Sequence, residues 1–279
     1  GIIDEKALYN AIKDGRVAGA ALDVFEEEPP QNNPLLTLDN VVTTPHLGAS
    51  TEEAQVNVAI DVARQVVDAL HDRAVRNAVN FPSLEPEVLK VLKPYLDLTQ
   101  KLGALLAQLA DGRISEVRVR YSGEITNYDI SALTGALMKG ILTVVLKNPV
   151  NYVNAQVLAK ERGIKVLETK TTELEDYANL ISIDVVTEKG LYQAEGTLFT
   201  NKDPRIVKIN EFHVDAIPQG YMLVTSNLDK PGVVGQIGTI LGKNKINIAG
   251  MTFGRQSPGG KAITVLNVDS LVPQDVLNA

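Results

Sequence analysis

The feature that most constrains the fold is a short, nearly continuous apolar run, VAGAALDV, over residues 17–24. A run of this length without polar alternation is typical of a strand that is buried on both faces of a parallel sheet. A second short strand is predicted over 41–44, after an acidic, proline-rich loop. Amphipathic helices are predicted on either side, one over 5–14 and one that ends near 70. This order of elements indicates an α/β topology.

Capping residues mark the start of both helices. Asp4 is suited to cap the first helix, and Gly15 is expected to end it. Ser50-Thr51-Glu52-Glu53 is interpreted as a capping box, in which the first and fourth residues each bond the other's backbone N–H group. The second helix is therefore predicted to begin in this tetrapeptide.

The rest of the chain indicates two further blocks that mix helices and strands. A domain boundary is expected near residue 82, where prolines follow the segment AVNF. In the middle block the apolar spacing predicts helices over 87–110 and 129–146. The strands predicted for this block are 116–121, 182–186, 192–199 and 205–209.

The last block begins near residue 213 and has the order β-α-β-β. Its predicted elements are strands at 221–226, 246–253 and 262–268, and a helix at 232–241. This order is half of a ferredoxin-like sandwich, and a second helix is predicted to start at the end of the chain. We expect the chain to be truncated at both ends, because it opens on Gly1 and stops within that helix.

Composition excludes several classes of function. The chain has 34 acidic and 27 basic residues and a net charge of -7, which argues against a nucleic-acid partner. No apolar run approaches the roughly 18 residues of a membrane span. The absence of cysteine excludes disulfides, thiolate zinc sites and cysteine nucleophiles. His46, His71 and Glu28 match no metal-binding spacing, and no metal is expected.

His46 follows a proline at the carboxyl end of a predicted parallel strand, where open α/β sheets bind ligands. Glu28 lies in the preceding loop. A carboxylate beside an imidazole orients the ring and raises its pKa, which suits a general acid or base. The alternative is that His46 stabilises a turn and that Glu28 belongs to a solvated acidic loop.

Asp23 lies inside the first apolar run, where a buried carboxylate needs hydrogen-bond donors. Those donors are either an amide group of a ligand or backbone N–H groups of a loop. The sequence contains no G-x-G-x-x-G motif, so the phosphate-binding turn of a dinucleotide site is absent from residues 1–279.

Asp229 precedes the helix of the last block. A carboxylate there, together with free N–H groups at the helix N-terminus, can hold the two ends of a zwitterion. Asn247, at the start of the next strand, can add a polar contact. The alternative is an ordinary helix cap and a turn residue.

Three motifs in this order closely resemble the D-isomer-specific 2-hydroxyacid dehydrogenases: GIIDEKAL at 1–8, AALDVFEEEP at 20–29 and TPHLGAST at 44–51. The segment NLDKPG at 227–232, with Asn247 beyond it, resembles an ACT domain, a small amino-acid-sensing module. The block between them resembles the intervening domain of the long form of D-3-phosphoglycerate dehydrogenase.

The resemblance implies an α/β and α+β multidomain fold. Its expected parts are the second half of a Rossmann-type NAD-binding domain (1–49), a cross-over helix and return segment of the substrate-binding domain (50–81), an α+β intervening domain (82–212) and a ferredoxin-like ACT domain (213–279). It also implies that the family's glycine-rich turn and catalytic arginine precede Gly1, so that this chain is inactive alone.

The resemblance also implies roles for residues of the first block. His46 is expected to be the proton donor and acceptor, with Glu28 as its carboxylate partner. Asp23 is expected to contact the nicotinamide end of NAD. The segment His46, Leu47, Gly48 and Ala49 is expected to line the same pocket.

For the later blocks the resemblance implies regulation. Asp229 and Asn247 match positions that hold L-serine across a dimer interface. Arg205 matches a cationic position of a phosphate site in the intervening domain of some relatives. A second such position holds Ile217, which is not basic, and this departure counts against an intact site.

The function implied is the NAD-dependent oxidation of 3-phosphoglycerate, the first step of L-serine biosynthesis. The enzyme is expected to be a cytoplasmic homo-oligomer, an ACT-mediated dimer that assembles to a tetramer, regulated by L-serine. Two alternatives remain at this point. One is a related glyoxylate or hydroxypyruvate reductase, and the other is a non-catalytic regulatory protein that binds an amino acid.

Overall fold

The computed structural model describes residues 2–71, 77–78, 86–146, 148–173, 176–200 and 202–278. The chain forms two compact units that divide between residues 75 and 76. The boundary predicted near residue 82 lies outside the described residues. No helix in the described ranges is both long enough and apolar enough to span a bilayer.

The first unit contains two helices, α1 (Glu5–Lys13) and α2 (Glu52–Leu70), and two short strands, β1 (Ala20–Leu22) and β2 (Val41–Thr43). The strands pair in parallel, with Ala20 opposite Val41, and this confirms the predicted α/β order. The strand predicted over 17–24 is shorter than expected. Its start is lost because the backbone N–H groups of residues 16 and 17 donate to the Ala11 carbonyl and so close the end of α1.

Both helices of this unit begin at capping side chains. Asp4 Oδ1 accepts from the Ala7 N–H group at 2.9 Å, as predicted. The capping box at 50–53 is wrong in register. Thr51 is the capping residue of α2, and its Oγ1 accepts from the Ala54 N–H group at 3.1 Å. The fourth position of the box is therefore an alanine, which cannot return a side-chain bond.

The second unit begins with α3 (Pro86–Leu109), β3 (Ile114–Gly123), α4 (Ser131–Val145), α5 (Ala155–Glu161) and β4 (Lys165–Thr171). Four antiparallel strands follow: β5 (Asn179–Thr187), β6 (Gly190–Phe199), β7 (Asp203–Ile209) and β8 (Phe212–Ala216). They form a six-stranded sheet of order β4-β3-β5-β6-β7-β8, in which β4 is parallel to β3. The middle block is thus α+β, as predicted, but α5, β4 and β8 were not predicted.

The position of β8 changes the expected start of the last block. The prediction places residue 213 in the ACT-like block, whereas β8 pairs with β7, with Phe212 opposite Ile209. The β-α-β-β order begins only at β9 (Tyr221–Leu228) and continues through α6 (Val233–Lys243), β10 (Ile248–Arg255) and β11 (Lys261–Val268) to the short helix α7 (Gln274–Leu277). The three strands are antiparallel in the order β10-β11-β9.

The two faces of this three-stranded sheet belong to different apolar clusters. Leu266 and Val268 of β11 pack with Leu241 of α6. Ile263 and Val265, which alternate with them along the strand, join the large cluster that includes Phe212 of β8. Because side chains alternate across a strand, β11 connects the two clusters.

Helices α3 and α4 cover one face of the six-stranded sheet, and glycines let their backbones approach closely. A Cβ atom on Gly140 would lie 2.0 Å from the Gln100 carbonyl oxygen. A Cβ atom on Gly103 would lie 2.5 Å from the Leu137 carbonyl oxygen. Neither clash can be relieved by a side-chain rotation, because the atoms that are met belong to the backbone.

Replacing Gly140 tests this contact. Gly140→Ala is expected to lower the free energy of unfolding by about 2 kcal/mol, because the helices must separate to admit the methyl group. The matched control is Gly135→Ala on the same helix, where the nearest atom to the new Cβ is 3.9 Å away. That variant is expected to be neutral or more stable by up to about 1 kcal/mol, since alanine favours a helix. Urea unfolding followed by circular dichroism measures both, and equal losses would contradict the close contact.

Candidate active site

The candidate site lies where the two parallel strands of the first unit end. Because β1 and β2 run in the same direction, the loops that follow them leave from the same edge of the sheet. These loops carry Asp23, Glu28 and His46, which border an open cleft of about 530 Å³ together with Thr44 and Leu36. The structure therefore brings together three of the residues that the sequence predicted.

His46 and Glu28 are in direct contact. His46 Nδ1 lies 2.7 Å from Glu28 Oε2, although the two residues are 18 positions apart. The other carboxylate oxygen, Oε1, accepts from the Phe25 N–H group at 3.0 Å. The backbone of His46 has a φ of 57°, and its N–H group donates to the Asp23 carbonyl at 3.0 Å. The turn therefore holds the ring against the carboxylate.

The contact shifts the pKa values of both groups in the directions expected for an ion pair. The hydrogen bond from His46, followed by that from the Phe25 N–H group, lowers the pKa of Glu28. The hydrogen bond to Glu28 raises the pKa of His46. The stabilisation of the folded state by the pair is thus complete between the ordinary pKa values, 4.5 and 6.5. It is lost as the pH falls through the lowered pKa of Glu28 or rises through the raised pKa of His46.

Asp23 accepts three hydrogen bonds from the turn that carries His46. Its Oδ1 accepts from Thr44 Oγ1 at 2.5 Å and from the Leu47 N–H group at 2.7 Å, and its Oδ2 accepts from the Gly48 N–H group at 2.7 Å. The bond from Thr44 is the largest cause of its lowered pKa. Asp23 is half-buried rather than buried as expected. Its donors within the chain are loop groups, and the further donor expected from a ligand stays a prediction.

Leu47, Gly48 and Ala49 take part in this turn through their backbones. A Cβ atom on Gly48 would lie 3.1 Å from Asp23 Oδ2, which is closer than ordinary contact. The Ala49 carbonyl accepts from Gln55 Nε2 at 2.5 Å, and this bond connects the turn to the first part of α2. Within the described residues, no group of three or more acidic or histidine side chains could hold a metal ion.

In the last block, Asp229 is already paired. Its Oδ2 lies 2.8 Å from Arg255 Nη1 and 3.4 Å from the Gly259 backbone nitrogen. The bond from Arg255 is the largest cause of its lowered pKa. Arg255 was not among the predicted site residues, because only the pairing of β10, β11 and β9 brings it to a partner 26 positions away.

Asn247 and Asp229 lie at opposite ends of the three-stranded sheet. Asp229 follows Leu228, which pairs with Lys261, whereas Asn247 precedes Ile248, which pairs with Val268. The seven residue steps from Lys261 to Val268 separate the two ends by roughly 24 Å. Asn247 Nδ2 donates to Asp269 Oδ2 at 2.8 Å. One chain therefore does not bring the two predicted serine-binding residues together.

Arg205 also has partners within the chain. Its Nε lies 3.2 Å from Asp215 Oδ1, and its guanidinium lies 5.3 Å from the centre of the Phe199 ring. Ile217, at the second predicted cationic position, is 39% exposed and apolar. Arg205 thus has an acidic partner within the chain, and the second predicted cationic position is apolar.

Known families match the chain in three consecutive segments. Residues 1–48 match the D-isomer specific 2-hydroxyacid dehydrogenase, NAD binding domain; residues 91–210 match the D-3-phosphoglycerate dehydrogenase intervening domain; and residues 221–279 match the ACT domain. The match for the last segment agrees with β9 as its first strand.

Curated relatives named D-3-phosphoglycerate dehydrogenase match along the whole chain. The protein of Synechocystis sp. is 46% identical over 100% of this chain and 50% of its own length. The proteins of Methanocaldococcus jannaschii and Bacillus subtilis are 44% and 41% identical over 99% and 96% of this chain. These matches cover 52% and 51% of the two relatives, so the chain spans about half the length of the curated relatives it matches. The chain is therefore similar, over nearly its whole length, to about half of each of these D-3-phosphoglycerate dehydrogenases.

The predicted residues are distributed over all three matched segments. Asp23, Glu28 and His46 fall in the NAD-binding segment, and Arg205 falls in the intervening segment. The ACT segment contains Asp229 and Asn247. Their individual roles remain predictions.

The effect of Glu28 on the pKa of His46 can be measured directly, because the chain has only 3 histidines and their ring protons can be followed by NMR. Glu28→Gln is expected to lower the pKa of His46, since a neutral amide stabilises the imidazolium less than a carboxylate does. Glu27→Gln removes the same charge one residue away and is expected to have a much smaller effect. Equal decreases in the two variants would show that general charge, and not the contact, sets the pKa.

Proposed function

We propose that this chain is the part of an NAD-dependent dehydrogenase that carries its acid–base pair and its regulatory domain. The proposed reaction is the oxidation of 3-phospho-D-glycerate to 3-phosphohydroxypyruvate, the first step of L-serine biosynthesis, in the cytoplasm. The observation that carries the proposal is the contact of His46 with Glu28 at the carboxyl ends of parallel strands. The segment in which it lies matches an NAD-binding domain, and relatives with this name match over the whole chain.

The residues at the strand ends fit the nicotinamide end of NAD. A carboxylate offers about four acceptor positions, and the turn uses three of those on Asp23. Within the part of the chain that the structure describes, Gly48 is the one donor to Oδ2, so this oxygen can accept one further N–H group, such as that of a carboxamide. Leu36 and Pro45 give the same cleft an apolar side. Bound NAD supplies the hydride acceptor.

His46 is suited to move the proton of the substrate hydroxyl. Glu28 engages Nδ1, so Nε2 is the ring nitrogen that can accept this proton. The carboxylate stabilises the imidazolium that results, and in the reverse direction the imidazolium returns the proton to the ketone oxygen. A raised pKa makes His46 a stronger base, while requiring a higher pH for the neutral form that starts the oxidation.

For regulation, we propose that L-serine binds between two ACT domains. Asp229 is suited to the ammonium group and Asn247 to a polar contact, but within one chain they lie at opposite ends of the sheet. Two copies that pair side by side with opposite orientation can bring Asp229 of one copy to Asn247 of the other. The opposite placement of the two residues supports an ACT-mediated dimer. We propose a tetramer as the complete assembly. The serine ammonium must share Asp229 with Arg255 or displace it.

The activity is tested with the complete gene product and 3-phosphoglycerate, by following the formation of NADH. His46→Ala is expected to lower kcat by about 10²- to 10⁴-fold while NADH binding is retained, because it removes the proton acceptor. The control is His71→Ala, which changes a residue at the end of α2 and is expected to keep the activity. A gene product that reduces glyoxylate or hydroxypyruvate but does not oxidise 3-phosphoglycerate would contradict the assigned substrate.

Serine regulation is tested with the same protein. L-serine is expected to slow NADH formation, and Asp229→Ala is expected to abolish this inhibition while leaving the uninhibited rate unchanged, because the variant loses the partner of the ammonium group. Asp275→Ala, an exposed acidic residue in α7, is the control and is expected to retain inhibition. If Asp229→Ala is inhibited like the unchanged protein, Asp229 is not part of the serine site.

A further inference from the structure

One carboxylate, that of Glu5, holds both ends of the loop that carries Glu28. Its Oε1 accepts from the Glu26 backbone N–H group at 2.6 Å. Its Oε2 accepts from Asn33 Nδ2 at 2.6 Å. The residues between these two points, 27–32, include Glu28. Neither bond is explained by the proton transfer, and no motif in the sequence singled out Glu5 for this role.

The loop has few other restraints. Within the described part of the chain, the backbone N–H groups of residues 27–32 donate no hydrogen bond to another residue. Most of these residues are exposed, and two of them are prolines. The Glu28 side chain receives one bond from the Phe25 N–H group, which lies next to the point that Glu5 holds. The position of the Glu28 carboxylate therefore depends on where the ends of the loop are held.

Glu5 is itself held by regular structure. It is the first residue of α1, directly after the capping residue Asp4. At the other end of the loop, Asn33 Oδ1 accepts from the Leu35 N–H group at 3.0 Å, and Leu35 is fully buried. The amide of Asn33 cannot turn over without losing this bond, so its Nδ2 group remains directed at Glu5.

We propose that Glu5 is a positioning residue for Glu28, and through Glu28 for the protonation of His46. Glu5 does not contact His46, and its part is to fix the loop so that Glu28 stays within bonding distance of the ring. The functional meaning of this role rests on the proposed function, in which His46 moves the substrate proton. The structural part, the dependence of the His46–Glu28 contact on Glu5, can be tested without catalysis.

The test exchanges donor and acceptor between positions 5 and 33. Glu5→Gln keeps an oxygen for the Glu26 N–H group but places an NH₂ group against the NH₂ group of Asn33. Asn33→Asp keeps an oxygen for the Leu35 N–H group but places a carboxylate against that of Glu5. In the double variant the new amide can donate to the new carboxylate. Its net charge equals that of the unchanged protein, because one substitution removes a negative charge and the other adds one. NMR titration of the full chain gives the pKa of His46 in each variant.

Each single variant is expected to lower the pKa of His46 by at least about half of the decrease that Glu28→Gln causes, because the contact with the carboxylate is lost for much of the time. The double variant is expected to restore the pKa to near its original value. Glu27→Gln, which removes a loop charge without breaking a bond to Glu5, is the control for through-space effects. Far-UV circular dichroism checks that every variant is folded.

Two results would overturn the proposal. One is a pKa of His46 that stays at its original value in both folded single variants. The other is a double variant that is folded but has the same low pKa as the single variants. The outcome is separate from that of the activity assay, because the titration requires no turnover. A complete gene product without dehydrogenase activity would remove the proposed function and leave the positioning role of Glu5 to be decided by the titration.

Discussion

Three hydrogen bonds to one carboxylate set the geometry of the candidate active site. Asp23 accepts from the side chain of Thr44 and from the backbone of Leu47 and Gly48. These donors lie on both sides of His46, whose left-handed backbone conformation is uncommon for a residue with a Cβ atom. Because the carboxylate holds both sides of the turn, the backbone directs the imidazole toward Glu28. The ring itself is exposed, so packing around it contributes little to its position.

The second unit is built around a different constraint, the close approach of two helices over a sheet. Gly103 and Gly140 let α3 and α4 meet backbone to backbone. The sheet below continues past β7 to β8, and β8 packs against the strands of the ACT segment. The ACT segment and the intervening sheet therefore share an apolar cluster. A substitution at Ile263 or Val265, on the face of β11 that joins this cluster, would disturb the packing of both.

The sequence predicted elements well where one local signal was sufficient. The apolar run at 17–24 identified a parallel strand, and Asp4 identified a helix start. It predicted less well where local signals compete or are weak. Ser50 and Thr51 can both cap a helix, and Thr51 is the residue that caps α2. Strand β4 lies at the edge of the sheet, and its mostly exposed side chains form little apolar pattern. Strand β8 follows a short turn at Asn210, which has a φ of 50°. Its five residues are too few for an alternating apolar pattern that would distinguish it from the block that follows.

Contacts between distant residues set the limit of sequence-based prediction for the sites. The pairing of His46 with Glu28 could be predicted, because the carboxyl ends of parallel strands meet at one edge of a sheet. The partners of Glu5 and Asp229 could not be predicted. Those of Glu5 depend on the path of a loop, and that of Asp229 depends on strand register, neither of which a single residue type reveals. The register also decides where Asn247 lies with respect to Asp229.

That register has a consequence for the proposed regulation through the ACT segment. In the proposed dimer, each chain contributes two different half-sites from the two ends of one sheet, and the two-fold pair would bring them together twice. A ligand that needs both halves then binds only to associated chains, so its apparent affinity is linked by mass action to the concentration of the protein. Dilution would weaken ligand binding, and the ligand in turn would hold the chains together.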